Sequence, residues 1–176
     1  GVPATGVDGV DFRLRLRASG RRHTLLCDVK ANGQPRHVRT AILRLQREVA
    51  REAGPATPVL MAPYLSPQAR AMCRDESVGF LDLEGNAWIR FDSVYIEREV
   101  ASRPPAARRE LKSIFKAKSA RVLRAMLRDP TRAWRVSDLA QQAGVSLGQV
   151  SNVRTRLLER EWARITDDGL LLTNPE

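Results

Sequence analysis

Residues 135–164, RVSDLAQQAGVSLGQVSNVRTRLLEREWAR, carry spacing, turn chemistry and charge that agree with one another. The stretch predicts two short helices joined by a tight turn. Ser137 is the expected cap of the first. Leu139, Ala140 and Ala143 share one of its faces, and Gly144 supplies the stop that a helix C-terminus prefers. Ser146 opens the second helix, in which Val150, Val153 and Leu157 recur at helical spacing and are expected to pack inward. On the wheel those three define, Gly148, Asn152, Thr155 and Arg156 point away, flanked by Gln149 and Ser151. Asparagine and glutamine can pair bidentately with adenine edges, and a glycine lets a helix come close to its target. The second helix is therefore expected to enter a DNA groove. Gln149, Asn152 and Arg156 would read base edges or adjacent phosphates, Ser146 and Ser151 would contact phosphates, and Arg154 could equally snorkel beside the core.

Working outward, Lys112 to Arg128 predicts a basic helix. Ile114, Val122, Leu123, Met126 and Leu127 form its apolar face, Lys116 and Lys118 sit near its start as phosphate contacts, and Asp129-Pro130 ends it. Trp134 is expected beneath the helix pair. Trp162–Ile165 and Leu170–Thr173 read as a hairpin with an Asp-Gly turn at Asp167-Asp-Gly169. Helix, helix, helix, hairpin is the order of a winged helix, assigned to residues 112–176.

Charge supports a polyanionic partner. The net charge is +10. Residues 1–100 hold 15 basic and 12 acidic side chains, and residues 101–176 hold 15 and 8, so the excess lies toward the predicted winged helix. Such a surface attracts duplex DNA through Coulomb steering and counterion release. With 176 residues, 43% of them hydrophobic, the chain suffices for one large or two small globular domains. No apolar run reaches the roughly 18 to 20 residues of a membrane span, and residues 1–8 lack a signal-peptide layout. A soluble cytoplasmic protein associated with the nucleoid, without a membrane partner, is the expectation. Cys27 and Cys73, outside any ligand spacing, read as buried free thiols.

In the N-terminal part, Phe12-Arg-Leu-Arg-Leu-Arg17 alternates as a strand with one wet side. A turn at Ala18–Arg21 leads to a more apolar strand, His23 to Ala31, ended by Asn32-Gly33. Thr40 to Ala53 predicts an amphipathic helix with Ile42, Leu45 and Val49 inward, and Pro58–Ala62 a buried parallel strand beyond it. Ser66-Pro67 opens a helix running to about Glu76. Val78–Leu83, Ala87–Phe91 and Val94–Glu99 read as strands. The order predicts a mixed sheet with flanking helices over residues 1–100, separated from the winged helix by a Pro/Ala/Arg linker at 101–111. Leu81-Asp-Leu-Glu-Gly-Asn86 fits a solvated sheet end or a substrate loop. His23 and His37 are too few for a catalytic network, and no phosphate-binding glycine loop is present.

Asp11, Asp28 and Lys30 form the second constellation. Aspartates on adjacent strands could hold a magnesium ion with hard oxygen ligands, and the lysine could orient or deprotonate a water attacking a phosphodiester. A structural ion pair between Asp28 and Lys30 at a strand end is the competing reading. An aspartate opening one strand of a hairpin, an Asp-x-Lys ending the next and a helical crossover after it together resemble the PD-(D/E)xK, or restriction-endonuclease-like, superfamily. The resemblance covers roughly residues 8–90, with Val10-Asp11 in the Pro-Asp place and Asp28-Val29-Lys30 in the (D/E)xK place. It implies that fold, and Mg2+ at Asp11 and Asp28 if the site cleaves.

Over nearly the whole chain, the phrases LLCDVKANGQPRHVR, VLMAPYLSPQARAMC, VGFLDLEGN, VYIERE and RAWRVSDLAQQAGVSLGQVSNVRTRLLEREW are similar to bacterial proteins labelled AbiEi-family antitoxins or transcriptional regulators. That resemblance implies a sequence-specific repressor and brings a cognate toxin protein into view as a partner. A homodimer on a two-fold site is expected. The alternatives are a metal-dependent nuclease targeted by the winged helix, and a partner-binding module whose α/β domain serves for dimerisation.

Overall fold

Alternation between apolar and basic residues builds the first strand, β1 (Phe12–Ala18), in a computed structural model that describes residues 9–100 and 114–173. The Ser19-Gly20 turn, with φ of 49° and 78°, returns the chain into β2 (Arg21–Val29), antiparallel to β1. Two positive φ values suit the right-handed twist of a two-residue hairpin. Helix α1 (Pro35–Arg51) follows, then β3 (Ala56–Ala62) parallel to β2, α2 (Pro67–Asp75), and β4 (Gly79–Asp82) parallel to β3. Strands β5 (Ala87–Phe91) and β6 (Val94–Arg98) complete a six-stranded mixed sheet antiparallel, and its spatial order follows the chain from β1 to β6. Each parallel neighbour is reached through a helix, as parallel pairing requires.

Helix α1 begins five residues before the expected Thr40, at Pro35. Proline is favoured at a first helical position, where its missing N–H costs nothing. The Asn32 side chain accepts from the Gln34 N–H at 3.0 Å and shapes the entry. At α2 the Ser66 hydroxyl accepts from the Ala69 N–H at 3.2 Å, the cap that Ser66-Pro67 predicts. One face of the sheet packs Leu26, Leu60 and Phe80 against Val38, Ile42 and Leu45 of α1 and Ala69 and Cys73 of α2. On the other face Leu25, Cys27, Val59 and Phe91 form a second apolar cluster, with Phe12, Leu16 and Ile89 beside it. Burial pushes the free thiols of Cys27 and Cys73 up to about 11 and about 12, which leaves them protonated at neutral pH.

The chain divides between Ser102 and Arg103 into two compact units. The expected linker at 101–111 and the expected helix start at Lys112 lie outside the described residues, but the one helix expected over 112–128 is interrupted at 115–116, where Lys116 takes an extended conformation and caps a helix that starts at Ala117. The second unit contains α3 (Ala117–Arg128), α4 (Val136–Ala143), α5 (Leu147–Glu159) and a hairpin of β7 (Ala163–Thr166) and β8 (Gly169–Leu172). Its core joins Val122, Met126, Trp134, Leu139, Val150, Val153, Leu157 and Leu170. Leu127 departs from expectation and is 55% exposed, because the helix turns Ser119 and Ala125 inward instead.

Ser137 does not cap α4. Arg135 occupies that position, and Ser137, inside the helix, donates to the Asp138 carboxylate at 2.9 Å. Gly144 ends α4 in the left-handed conformation expected of it, φ 61°. The β7–β8 loop is Asp167-Asp168, within the expected turn, and Gly169 already pairs with Thr166 as a strand residue. The reason lies across the unit. Trp134 exchanges backbone hydrogen bonds of 2.8 and 2.9 Å with Leu170, and a Cβ on Gly169 would stand 2.5 Å from the Trp134 carbonyl oxygen. Among the described residues, no helix is long and apolar enough to cross a membrane.

Candidate nucleic-acid interface and carboxylate cluster

Helix α5 positions its outer face through its inner one. Val150, Val153 and Leu157 are buried to 1% exposure or less, which fixes the rotation of the helix about its axis. Gly148, Ser151, Asn152 and Thr155 are then exposed, and Arg156 is half-buried. Ser146 caps the helix by accepting from the Gln149 N–H at 3.3 Å. A Cβ on Gly148 would meet nothing within 4 Å, so the glycine serves no internal packing and leaves open space outside the helix.

Two of the predicted contact residues already have partners within the unit. Gln149 donates from Nε2 to the Ser119 hydroxyl at 2.9 Å, tying the start of α5 to the start of α3. Thr155 donates back to the Ser151 carbonyl at 3.1 Å. Among the described residues, the side chains of Lys116, Lys118, Asn152 and Arg156 form no hydrogen bond or ion pair. These four line a single groove together with Ser119 and Gln149. A second hollow beside it is lined by Lys118, Gln141, Gly144, Ser146 and Leu147. Leu147, at the first position of α5, is 58% exposed, a position that the spacing of Val150, Val153 and Leu157 does not mark. What the arrangement offers is a row of free donors and cations beside a helix whose backbone is open to close approach.

Asp11, Asp28 and Lys30 do converge in the first unit. Asp28, next to last in β2, is fully buried on the face that carries the helices, and Asp11 stands just before β1 in the adjoining strand register. The carboxyl end of a parallel strand is where open α/β sheets commonly bind ligands. Lys30 places Nζ 3.0 Å from both Asp28 oxygens. Arg44 of α1, absent from the sequence reading, reaches the same carboxylate with its guanidinium. Nothing marked it in sequence, because it is one of several arginines on a helix whose rotation over the sheet was unknown. Asp11 accepts from the Val29 N–H at 2.6 Å, and that hydrogen bond holds its carboxyl below the ordinary value. Burial drives Asp28 the other way, upward, against the pull of Lys30 and Arg44.

A divalent cation wants several hard oxygen ligands. Here Lys30 and Arg44 both already contact the buried Asp28 carboxylate. Two carboxylates facing two cations make a charge-balanced cross-link between β1, β2 and α1.

Within the Leu81–Asn86 turn, Asp82 and Asn86 face inward while Leu83 is exposed. Asp82 and Asn86 are 2% and 1% exposed. Asp82 accepts from the Leu65 and Asn86 N–H groups and from the Asn86 side chain, while Asn86 accepts from Arg70 at 2.6 Å and from the Val100 N–H at 2.7 Å. The network satisfies the turn internally.

Comparison of the chain with family models, with curated proteins and with solved structures finds no match.

Proposed function

We propose that this chain is a DNA-binding protein, a sequence-specific transcriptional regulator that reads duplex DNA with α5. The observation that carries this reading is the groove lined by Lys116, Lys118, Asn152 and Arg156, whose side chains have no hydrogen bond or ion pair among the described residues. Asparagine supplies a bidentate pair for an adenine edge, and the cations supply phosphate contacts. In this reading the helix, helix, helix, hairpin order of the second unit is a winged helix-turn-helix with β7–β8 as its wing. The first unit, with its hairpin, crossover and mixed sheet, is restriction-endonuclease-like. An antitoxin-like repressor acting as a homodimer, with a cognate toxin as further partner, extends the same proposal.

Selecting bound duplexes from a random pool tests it. Recovery of a preferred sequence, with half-sites about one helical turn apart for a dimer, is the expected result. Binding that enriches no sequence, or no binding at low salt, would overturn it.

A second reading, a magnesium-dependent nuclease, draws on the convergence of Asp11, Asp28 and Lys30, and the Arg44 ion pair counts against it. Strand integrity during the same selection, with magnesium present and with Asp28→Ala as control, separates the two. Intact DNA removes the nuclease, and nicking abolished by Asp28→Ala removes the purely regulatory reading.

A further inference from the structure

A second cluster of charge in the first unit lies toward the turn end of the β1–β2 hairpin. Residues 12–22, FRLRLRASGRR, hold five arginines and no acidic residue. The register places Arg13 opposite Leu26, Arg15 opposite Thr24 and Arg17 opposite Arg22, so Arg13, Arg15, Arg17 and Arg22 share one face of the sheet. Arg13 is paired, 3.6 Å from Glu52. Arg15, Arg17, Arg21 and Arg22 are exposed and, among the described residues, have neither ion pair nor hydrogen bond.

The Arg17 and Arg22 pair is the informative one. Like charges directly across a strand pair repel and destabilise the hairpin. Among the described residues no carboxylate pairs with them, Asp92 in the turn that meets the hairpin tip included. The tip is nevertheless held firmly. Ser19 hydrogen-bonds Ser93 at 2.6 Å, and His23 bonds the Thr57 hydroxyl at 2.9 Å while stacking on Phe91 with centroids 4.6 Å apart. Arg15, Arg17, Arg22, His23 and Thr24 line a shallow groove on this end of the strands. A rigid cluster of uncompensated guanidinium groups is suited to an anion with repeated charges, because each group can fork onto a phosphate.

We infer that this hairpin is a second DNA-contacting surface, one that grips the phosphate backbone without reading bases. The inference rests on the DNA-binding reading above and assigns to the first unit a share of the affinity. Asp11 and Asp28 lie toward the opposite end of the two strands, about 14 Å from Arg15 and about 20 Å from Arg17 and Arg22 at the usual strand rise, so the surface is separate from the carboxylate cluster. A simpler role exists for basic residues on an edge strand such as β1, namely blocking edge-to-edge pairing of sheets. Blocking does not require like charges opposed across the two strands.

Fluorescence anisotropy of the full chain on a labelled duplex, titrated with salt, separates these roles. The variant Arg15→Gln/Arg17→Gln/Arg22→Gln is expected to bind specific and unrelated duplexes more weakly by the same factor, about tenfold or more at moderate salt, and to lower the slope of log K against log salt by about 2.7. The corresponding Arg→Lys variant, which keeps the charges, should retain the slope and excludes a folding defect. Unchanged slope and affinity in the glutamine variant would overturn the inference, as would self-association or loss of binding to phosphatidylserine vesicles with DNA binding intact. Wild-type protein that binds no duplex would instead sink the DNA-binding reading and this inference with it. Wild type that loses all binding on Asn152→Ala/Arg156→Ala yet ignores the hairpin change would sink the inference alone.

Discussion

Arg44 and Asp28 form an ion pair of unequal burial, the guanidinium side chain 40% exposed and the carboxylate fully buried. The asymmetry orders the cost of breaking it. Arg44→Ala leaves a buried carboxylate with Lys30 as its only cationic partner, whereas Asp28→Asn leaves two cations that water can partly reach. Removing the arginine should lower unfolding stability of the first unit by about 1–3 kcal/mol at neutral pH, with a smaller loss for Asp28→Asn. Urea unfolding of the two variants measures the difference, and equal losses would contradict the asymmetry.

Acid titration should show two opposing slopes from this cluster. Asp11 lies below its ordinary value of 3.8 in the folded protein, so the unfolded chain binds more protons between the two values. Its stabilisation is present above 3.8 and is lost as pH falls through the folded value. Asp28 lies above 3.8, so the folded protein holds the extra proton, and stability falls as pH rises from 3.8 through its folded value. Stability measured against pH should therefore lose its low-pH rise in Asp11→Asn and its decline above 3.8 in Asp28→Asn. Asp11 also helps to raise Asp28, so Asp11→Asn should make that decline shallower as well.

Gly169→Ala should damage the second unit. The new Cβ would sit 2.5 Å from the Trp134 carbonyl oxygen, at a φ of 141° that side chains rarely adopt. Either the hairpin shifts, lengthening the Trp134–Leu170 hydrogen bonds, or the backbone is strained. A loss of about 2 kcal/mol is expected, visible as a lower melting transition. A wild-type melting profile would refute the close approach.

On α5, Gln149 and Asn152 should separate by phenotype. Gln149→Ala removes the bond to Ser119, so it should lower thermal stability and leave base preference largely intact. Asn152→Ala should leave stability unchanged and relax preference at one base pair by about 1–3 kcal/mol. Arg156→Ala should weaken binding and, if it contacts a phosphate, reduce the salt slope by about 0.9. Binding profiles beside melting curves for the three variants distinguish the roles, and loss of base preference in Gln149→Ala would reverse the assignment.

Much of the local structure was legible because it depends on near neighbours. The alternation of Phe12 to Arg17, the Ser66-Pro67 helix start, the Gly144 stop and the inward spacing of Val150, Val153 and Leu157 each act within a turn or a strand pair. Misreadings occurred where the partner is distant in sequence. Ser137 resembles a cap, yet α4 starts at Val136, and Leu127 fits an apolar stripe that the helix rotates outward. Asp82 and Asn86 read as polar turn residues until Arg70, Leu65 and Val100 are brought against them.

By itself, the sequence determined periodicities, turn positions and the uneven charge of the chain, since these follow from side-chain type and spacing along one segment. It also brought Asp11, Asp28 and Lys30 together, because a hairpin fixes which residues stand opposite. Only tertiary structure decided what those residues face. Arg44 closes on Asp28 through the rotation of α1 over the sheet, and Gln149 turns to Ser119 through the packing of α5 on α3. Such contacts depend on side chains many residues apart being buried together, and local spacing carries no record of that.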